Sequence, residues 1–129
     1  MPFIQWTNDF SVREEMMDKQ HQMLFDYINN FCDAIDTGAG HQELVEAFNK
    51  IVAYTDFHFK DEERLLKDND YPDYAVHKAI HEKLIADVMS FRKRLMDKEP
   101  NIETGIKQFL KLWLSAHIMG IDKKYSEFV

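Results

Sequence analysis

Seven side chains that can bind transition metals fall on the apolar faces of predicted helices. They are His21, His58, Glu62, His77, His81, His117 and Asp122. A neutral imidazole is a good ligand for these metals, and a carboxylate can bridge two of them. Five nitrogen ligands and two carboxylates are about the number that a site with two metal ions needs. The sequence therefore predicts a dinuclear metal site inside a hydrophobic core.

The spacing of these residues pairs them on helix faces. His58 and Glu62 are four residues apart, and so are His77 and His81. Side chains four residues apart project from the same face of a helix, so each pair can share one metal or two neighbouring metals. His21 supplies a further ligand from another helix.

The last two predicted ligands cannot share one face of a regular helix. His117 and Asp122 are five residues apart, which places them about 140° from one another around a regular helix. Gly120 lies between them and is a poor helix former. We therefore predict a π-type bulge or an early end of the helix near this glycine, of the kind often found at functional sites.

A histidine on an apolar face is more often a hydrogen-bonded core residue than a metal ligand. Five such histidines together favour metal binding instead, because a buried polar group without a partner costs about 1 to 3 kcal/mol. The few other polar residues on these faces cannot satisfy five imidazoles and two carboxylates at one level of the core. His41 is different: it follows Gly40, has no partner at ligand spacing, and is predicted to be a solvated loop residue.

The periodicity of apolar residues predicts four helices. Their apolar stripes span residues 17–35, 44–65, 74–95 and 102–122, and Pro72 is expected in the first turn of the third helix. Short loops join consecutive helices, and a short loop cannot carry the chain back to a parallel start. The predicted fold class is therefore all-α, as an antiparallel up-down-up-down four-helix bundle.

The dozen residues before the first helix are predicted to form an N-terminal arm. Ser11 and Glu14 have the form of a capping box, which predicts that the helix starts there. A length of 129 residues suits one domain, and no linker or repeat is visible, so residues 1–129 are assigned to a single domain. Cys32 is the only cysteine and is expected to be a small core residue.

The composition argues against several kinds of partner. The chain has a net charge of -7, whereas nucleic acids and anionic membranes require a basic surface. No stretch approaches the ~20 apolar residues of a membrane span, and the N-terminal residues lack the features of an export signal. We therefore expect a cytoplasmic protein that binds no nucleic acid. Charged residues dominate the predicted outer helix faces, which favours a monomer.

The order and spacing of the predicted ligands resemble those of the hemerythrins, and specifically of the single-domain bacteriohemerythrins. The resemblance covers the whole chain and rests on His21, His58-Phe59-Lys60-Asp61-Glu62, His77, His81, and the segment from His117 to Asp122. Further matches are the segments Ile4-Gln5-Trp6, Asp18-Lys19-Gln20-His21, Tyr71-Pro72 and Trp113-Leu114. No ligand of the family's set is missing from this chain.

This resemblance implies a non-haem di-iron centre that binds O2 reversibly, in an oxygen carrier, storage or delivery protein rather than an enzyme. By matching position, one iron is held by His77, His81 and His117, and the other by His21 and His58. Glu62 and Asp122 bridge the two irons beside an oxo or hydroxo bridge. The choice of iron rests on the resemblance, because ligand type alone does not select iron over manganese, cobalt or zinc.

The resemblance also implies an apolar pocket that keeps water and protons away from bound O2. The residues that match the family's pocket are Phe59, Trp113, Leu114, Ile118 and Met119. Ordinary core packing explains each of these residues equally well, since a bundle needs apolar side chains at such positions. Tyr125, which lies one turn beyond Asp122, is expected to approach the site.

Other functions use similar residues and must be compared with this one. Ferritin-like di-iron oxidases are built on Glu-x-x-His pairs, and no glutamate in this chain has a histidine three residues later. A zinc protease needs His-Glu-x-x-His, but Ile85 stands where the second histidine would be. An O2-sensing module, or a protein that detoxifies iron, nitric oxide or O2, would use the same ligands and stays open as an alternative.

Overall fold

Four long helices make up most of the chain in the computed structural model, which describes residues 3–129. They are α1 (Glu15–Asp36), α2 (His41–Asp68), α3 (Tyr74–Met96) and α4 (Ile102–Gly120). Short 3₁₀ helices at Asn8–Phe10 and Asp122–Tyr125 flank them, and no strand occurs within the described range. The all-α prediction is confirmed.

Loops of four or five residues reverse the chain between consecutive helices. Helix α1 packs against α2, α2 against α3, and α4 against both α3 and α1, which closes an antiparallel bundle. Apart from Phe59, the buried residues of α2 follow steps of three and four, so one stripe carries both core side chains and predicted ligands. None of the helices between residues 3 and 129 has the length and apolarity needed to cross a bilayer.

The predicted N-terminal arm packs against the bundle. The backbone of Ile4 is held by the side chain of Asn29, which accepts from its N–H and donates to its carbonyl at 2.8 Å each. Phe25 of α1 receives the arm's aromatic rings edge to face, with Trp6 at 5.5 Å and Phe10 at 5.0 Å between ring centroids. These contacts fix the arm against α1.

The start of α1 differs from the predicted capping box. The Ser11 hydroxyl donates to the carboxylate of Asp18 at 2.6 Å instead of capping the helix. Arg13 has a φ of 61°, which a right-handed helix cannot accommodate. Glu14 caps the helix itself, because its carboxylate accepts from the N–H of Met17 at 2.7 Å. The helix therefore begins one residue after Glu14.

Two other helix starts also differ by a few residues from expectation. His41 is the first residue of α2 and is half-buried, so it is not a loop residue. Pro72 precedes α3, which begins at Tyr74, because Asp70 adopts a φ of 51° and prolongs the turn. At the end of α1, Gly38 has a φ of 76°, a conformation that suits glycine after a helix C-terminus.

The C-terminal end of α4 is the early break that the sequence predicts. The helix ends at Gly120, and Ile121 leaves it with φ and ψ of -113° and -54°. The N–H of Ile121 still bonds to the carbonyl of His117 at 2.8 Å. A 3₁₀ turn then carries Asp122 into the core, where its side chain is fully buried.

The part of the core that lies away from the predicted ligands is apolar and aromatic. Phe31 and Phe48 are both fully buried and meet edge to face, with their ring centroids 5.4 Å apart. Cys32, which follows Phe31 in the sequence, is also fully buried and belongs to the same core, as expected.

We predict that Phe48→Ala lowers the free energy of unfolding of the metal-free protein by about 3 to 5 kcal/mol, because it leaves a cavity in this core. Urea unfolding followed by circular dichroism measures the change. Leu112→Ala is the matched control: Leu112 is 71% exposed, so its truncation should change the stability by less than about 0.5 kcal/mol. Equal losses in the two variants would contradict this view of the core.

Candidate metal centre

The seven predicted ligands meet at one level of the bundle. Helix α1 supplies one of them, α2 and α3 two each, α4 one, and the turn after α4 the seventh. Their side chains are all buried. They form two groups whose ligand atoms lie within 4.8 Å of one another: Glu62, His77, His81, His117 and Asp122 in one, and His21, His58, Glu62 and Asp122 in the other. Each group could hold a metal ion.

Glu62 divides its two oxygens between these groups. Its Oε1 lies 2.8 Å from Nε2 of His77 and 3.1 Å from Nε2 of His81. Its Oε2 lies 3.5 Å from Nε2 of both His21 and His58. One carboxylate therefore presents one oxygen to each group of histidines.

Asp122 divides its oxygens in the same way. Its Oδ1 lies 3.1 Å from Nε2 of His117 and 3.2 Å from Nε2 of His77. Its Oδ2 lies 3.1 Å from Nε2 of His21. Each carboxylate thus faces both groups of histidines. A pair of metal ions bridged by two carboxylates would need this arrangement.

Many of the Nε2 and carboxylate oxygen atoms of the predicted ligands are buried and have no hydrogen-bond partner among residues 3–129. They are Nε2 of His21, His81 and His117, and both carboxylate oxygens of Asp122. Buried polar groups are normally satisfied, and each one that is not costs about 1 to 3 kcal/mol. Imidazole nitrogen and carboxylate oxygen both donate to transition metals, so these residues fit metal ions in chemistry as well as in number.

The charges of the metal-free centre are balanced by protons. Burial lowers the pKa of His58 to about 4. Burial also disfavours charge on His21 and His77, but the nearby carboxylates of Asp122 and Glu62 outweigh it and raise both pKa values to about 9. Burial alone would raise the pKa of the two carboxyl groups, yet the surrounding histidines hold both well below their usual range. Two imidazolium groups thus stand where metal ions would supply the positive charge.

Three further residues contact the cluster from outside. Gln20 Oε1 lies 2.6 Å from Nδ1 of His58, and Glu63 Oε2 lies 2.8 Å from Nδ1 of His81. Amide and carboxylate oxygens only accept hydrogen bonds, so Nδ1–H is the donor in both bonds. The hydroxyl of Tyr125 donates to Glu62 Oε2 at 2.9 Å, and burial raises the pKa of this tyrosine.

Sequence reasoning expected Tyr125 near the site but missed Gln20 and Glu63. Gln20 directly precedes His21, and Glu63 directly follows Glu62. Adjacent residues point about 100° apart on a helix, so neither can contact its neighbour's metal-facing atoms. Each instead reaches a histidine on a neighbouring helix. Their only signal in the sequence is a polar residue at the edge of a stripe of buried residues.

Four of the five predicted pocket residues are buried, and Phe59 contacts the cluster directly. The ring of Phe59 lies flat on that of His81, with centroids 3.7 Å apart and planes 1° apart. Trp113 meets Phe59 edge to face at 6.1 Å, and both Leu114 and Ile118 are buried on the inner face of α4.

Met119 does not lie among these residues. It is 45% exposed and lies with Leu112 and Ser115 on the outer surface of α4. Met119 lies two residues after His117, which corresponds to a rotation of about 200° around the helix. This rotation turns the Met119 side chain away from the centre. The structure therefore does not place Met119 with the four buried residues of the predicted pocket.

Comparison with known proteins gives the same family throughout. The model of the hemerythrin HHE cation binding domain matches residues 13–129. The chain is similar to the bacteriohemerythrin of Methylococcus capsulatus, with 31% identity over 97% of this chain and 95% of the relative. It is also 33% identical to the bacteriohemerythrin of Pseudomonas aeruginosa, over 100% of this chain and 83% of the relative. The myohemerythrin of Theromyzon tessulatum is 33% identical over 94% and 89%.

Solved structures agree with the sequence relatives. The crystal structure of a wild-type hemerythrin superposes with a TM-score of 0.89 at 30% identity, covering 97% of this chain and 96% of that one. A hemerythrin mutant superposes with a TM-score of 0.91, also at 30% identity, covering 98% and 97%. With the family model spanning nearly the whole chain, and relatives above 30% identity, this chain belongs to the hemerythrin family.

Proposed function

We propose that this protein binds O2 reversibly at a pair of non-haem iron ions and serves as an oxygen carrier, storage or delivery protein rather than an enzyme. The observation that carries the proposal is the division of Glu62 and Asp122 between two groups of histidines, oxygen by oxygen. When bound, the iron pair supplies the electrons that O2 takes up and returns.

The two groups of ligands are unequal, and this inequality supports an open coordination position. His77, His81 and His117 stand on one side of the carboxylates, but only His21 and His58 stand on the other. A metal ion held by fewer protein ligands keeps a position at which a small molecule can bind. We assign the O2 site to the position with two histidines.

Apolar side chains around the cluster restrict water. Phe59, Trp113, Leu114 and Ile118 are all buried there. Reversible binding requires that protons and water do not reach the bound oxygen, because they would release it in reduced form and leave the metals oxidised. An apolar wall lowers the local concentration of both, so it favours a carrier over a protein that consumes O2.

An O2-sensing module, or a protein that detoxifies iron, nitric oxide or O2, would use the same seven ligands. The burial of the centre and its apolar wall favour reversible binding over detoxification. Tyr125 is the one described side chain with a hydroxyl bonded to a cluster carboxylate, and its raised pKa makes it a poor proton source.

The first prediction concerns metal content and O2. The purified protein should contain two irons per chain, and after anaerobic reduction a charge-transfer band should appear when O2 is admitted and fade when O2 is removed. Metal analysis and visible spectroscopy measure both. Irreversible oxidation of two irons would point instead to detoxification, and one zinc or no metal would refute the proposal.

A second prediction concerns the apolar wall. Leu114→Ala should enlarge the apolar pocket, admit water, and speed the conversion of the oxygenated form to the oxidised form. The decay of the charge-transfer band measures this autoxidation rate. Leu112→Ala is the control, since it makes the same truncation on the outer surface of α4 and should leave the rate unchanged. An unchanged rate in Leu114→Ala would remove this residue from the wall.

A third prediction concerns pH. His21 and His77 have pKa values of about 9 without metal, and a metal binds only the neutral imidazole, so metal and protons compete. Affinity for a divalent metal should rise with pH from neutrality to about 9 and level off above it. Titration with Co2+ against a chelator of known pH dependence measures this. Affinity that does not change over that range would contradict the competition between protons and metal at these histidines.

A further inference from the structure

The two groups of ligands differ in the charge of the residue that supports them from outside. His81 donates from Nδ1 to a carboxylate, that of Glu63, at 2.8 Å. His58 donates from Nδ1 to a neutral amide, that of Gln20, at 2.6 Å. His21 has no partner for Nδ1 within residues 3–129, although this atom is buried. The anionic partner therefore belongs to the group with three histidines.

Glu63 is well placed to hold His81 in one orientation. Helix α2 carries both Glu63 and Phe59, four residues apart. Phe59 stacks flat on the face of the His81 ring, while the Glu63 carboxylate holds the ring edge at Nδ1. Together the two contacts fix the plane and the rotation of the imidazole, so that Nε2 faces Oε1 of Glu62 at 3.1 Å.

Glu63 also keeps contact with solvent. Its side chain is 17% exposed, and it lines a surface groove of about 310 Å³ together with Lys78 and Glu82 of α3. A carboxylate in this position can remain hydrated on one side while it bonds to a buried ring on the other. It therefore carries a negative charge close to His81 without the full penalty of burying that charge.

The support behind His58 is neutral and is held by a chain of contacts. The Gln20 amide donates from Nε2 to Asp61 at 2.7 Å, which turns its carbonyl towards His58. Asp61 is in turn paired with Arg64. The nearest negative charge on this side of His58 is therefore that of Asp61. Gln20 separates it from the ring, and the guanidinium of Arg64 offsets it.

An anionic acceptor changes the electron donation of the ring it supports. A carboxylate draws the Nδ1 proton towards itself, which makes Nε2 more basic and a stronger donor to a metal. A stronger donor favours the more highly charged state of the metal. An amide acceptor has the same effect on orientation but a weaker one on basicity.

We propose that Glu63 is a positioning residue which, through His81, makes the two metal positions unequal: the three-histidine position binds metal more tightly and favours the oxidised ion. This inference rests on the proposed two-metal site. It leaves the two-histidine position, supported by Gln20, as the weaker one.

Glu63→Gln tests the charge of the acceptor separately from its shape, because the amide keeps an oxygen that can accept from His81. Glu82→Gln is the matched control: it removes the same charge from the same groove without a bond to a ligand. Each full-length variant is titrated with Co2+ to obtain the two binding constants. Each is also loaded with iron to obtain the reduction potentials, and circular dichroism of the metal-free form verifies folding.

Glu63→Gln should weaken one of the two Co2+ equivalents by about 10- to 100-fold, leave the other unchanged, and raise the reduction potential of one iron. Glu82→Gln should behave like the unaltered protein. If Glu63→Gln matches Glu82→Gln in affinity and potential, or weakens both equivalents equally, the inference is wrong while the site stands. If the unaltered protein binds fewer than two Co2+ ions, the proposed function fails and the inference with it. Should Glu63→Gln not fold, Glu63→Asp, which withdraws the carboxylate from His81, is judged by the same comparison.

Discussion

Two carboxylates buried among five imidazoles are the constraint on which the rest of this structure depends. Glu62 and Asp122 are fully buried, and isolated buried charges would be far too costly for a bundle of this size to tolerate. Their negative charge must be neutralised within the same buried cluster by protons or by metal ions. The raised pKa values of His21 and His77 show how the metal-free chain meets it. Every helix is therefore tied to one point, because each contributes a group to this balance.

The bundle supplies the rigidity that such a centre needs. Ligand geometry has to be held within a fraction of an ångström by residues that are themselves packed. Here α2 is the central element, since it carries Glu62 and His58 on its inner face and Phe59 and Glu63 beside them. Contacts with α1 and α3 on either side then orient the histidines of those helices. The early end of α4 completes the site by turning Asp122 inwards after Gly120.

The surroundings of the cluster divide into an apolar part and a polar part. The aromatic and aliphatic side chains of α2 and α4 are buried, whereas Gln20, Glu63 and Tyr125 reach the cluster with single directed hydrogen bonds. Under the proposed function, this division separates two tasks. Apolar packing would limit what can enter, and the directed bonds would set how strongly each ligand donates. A centre built only from the seven ligands would control neither.

The amino-acid sequence by itself determined the helices, the identity of the converging residues, and the break near Gly120. These follow from local rules: apolar periodicity, a four-residue spacing on one helix face, and the poor helix propensity of glycine. Tertiary structure alone decided which carboxylate oxygen faces which histidine, and that Gln20 and Glu63 serve ligands on other helices. It also decided that Met119 faces outwards and that the Ser11 hydroxyl donates to Asp18 instead of accepting from a helix N–H. These features depend on how helices distant in sequence are rotated against one another, and local spacing carries no information about that rotation.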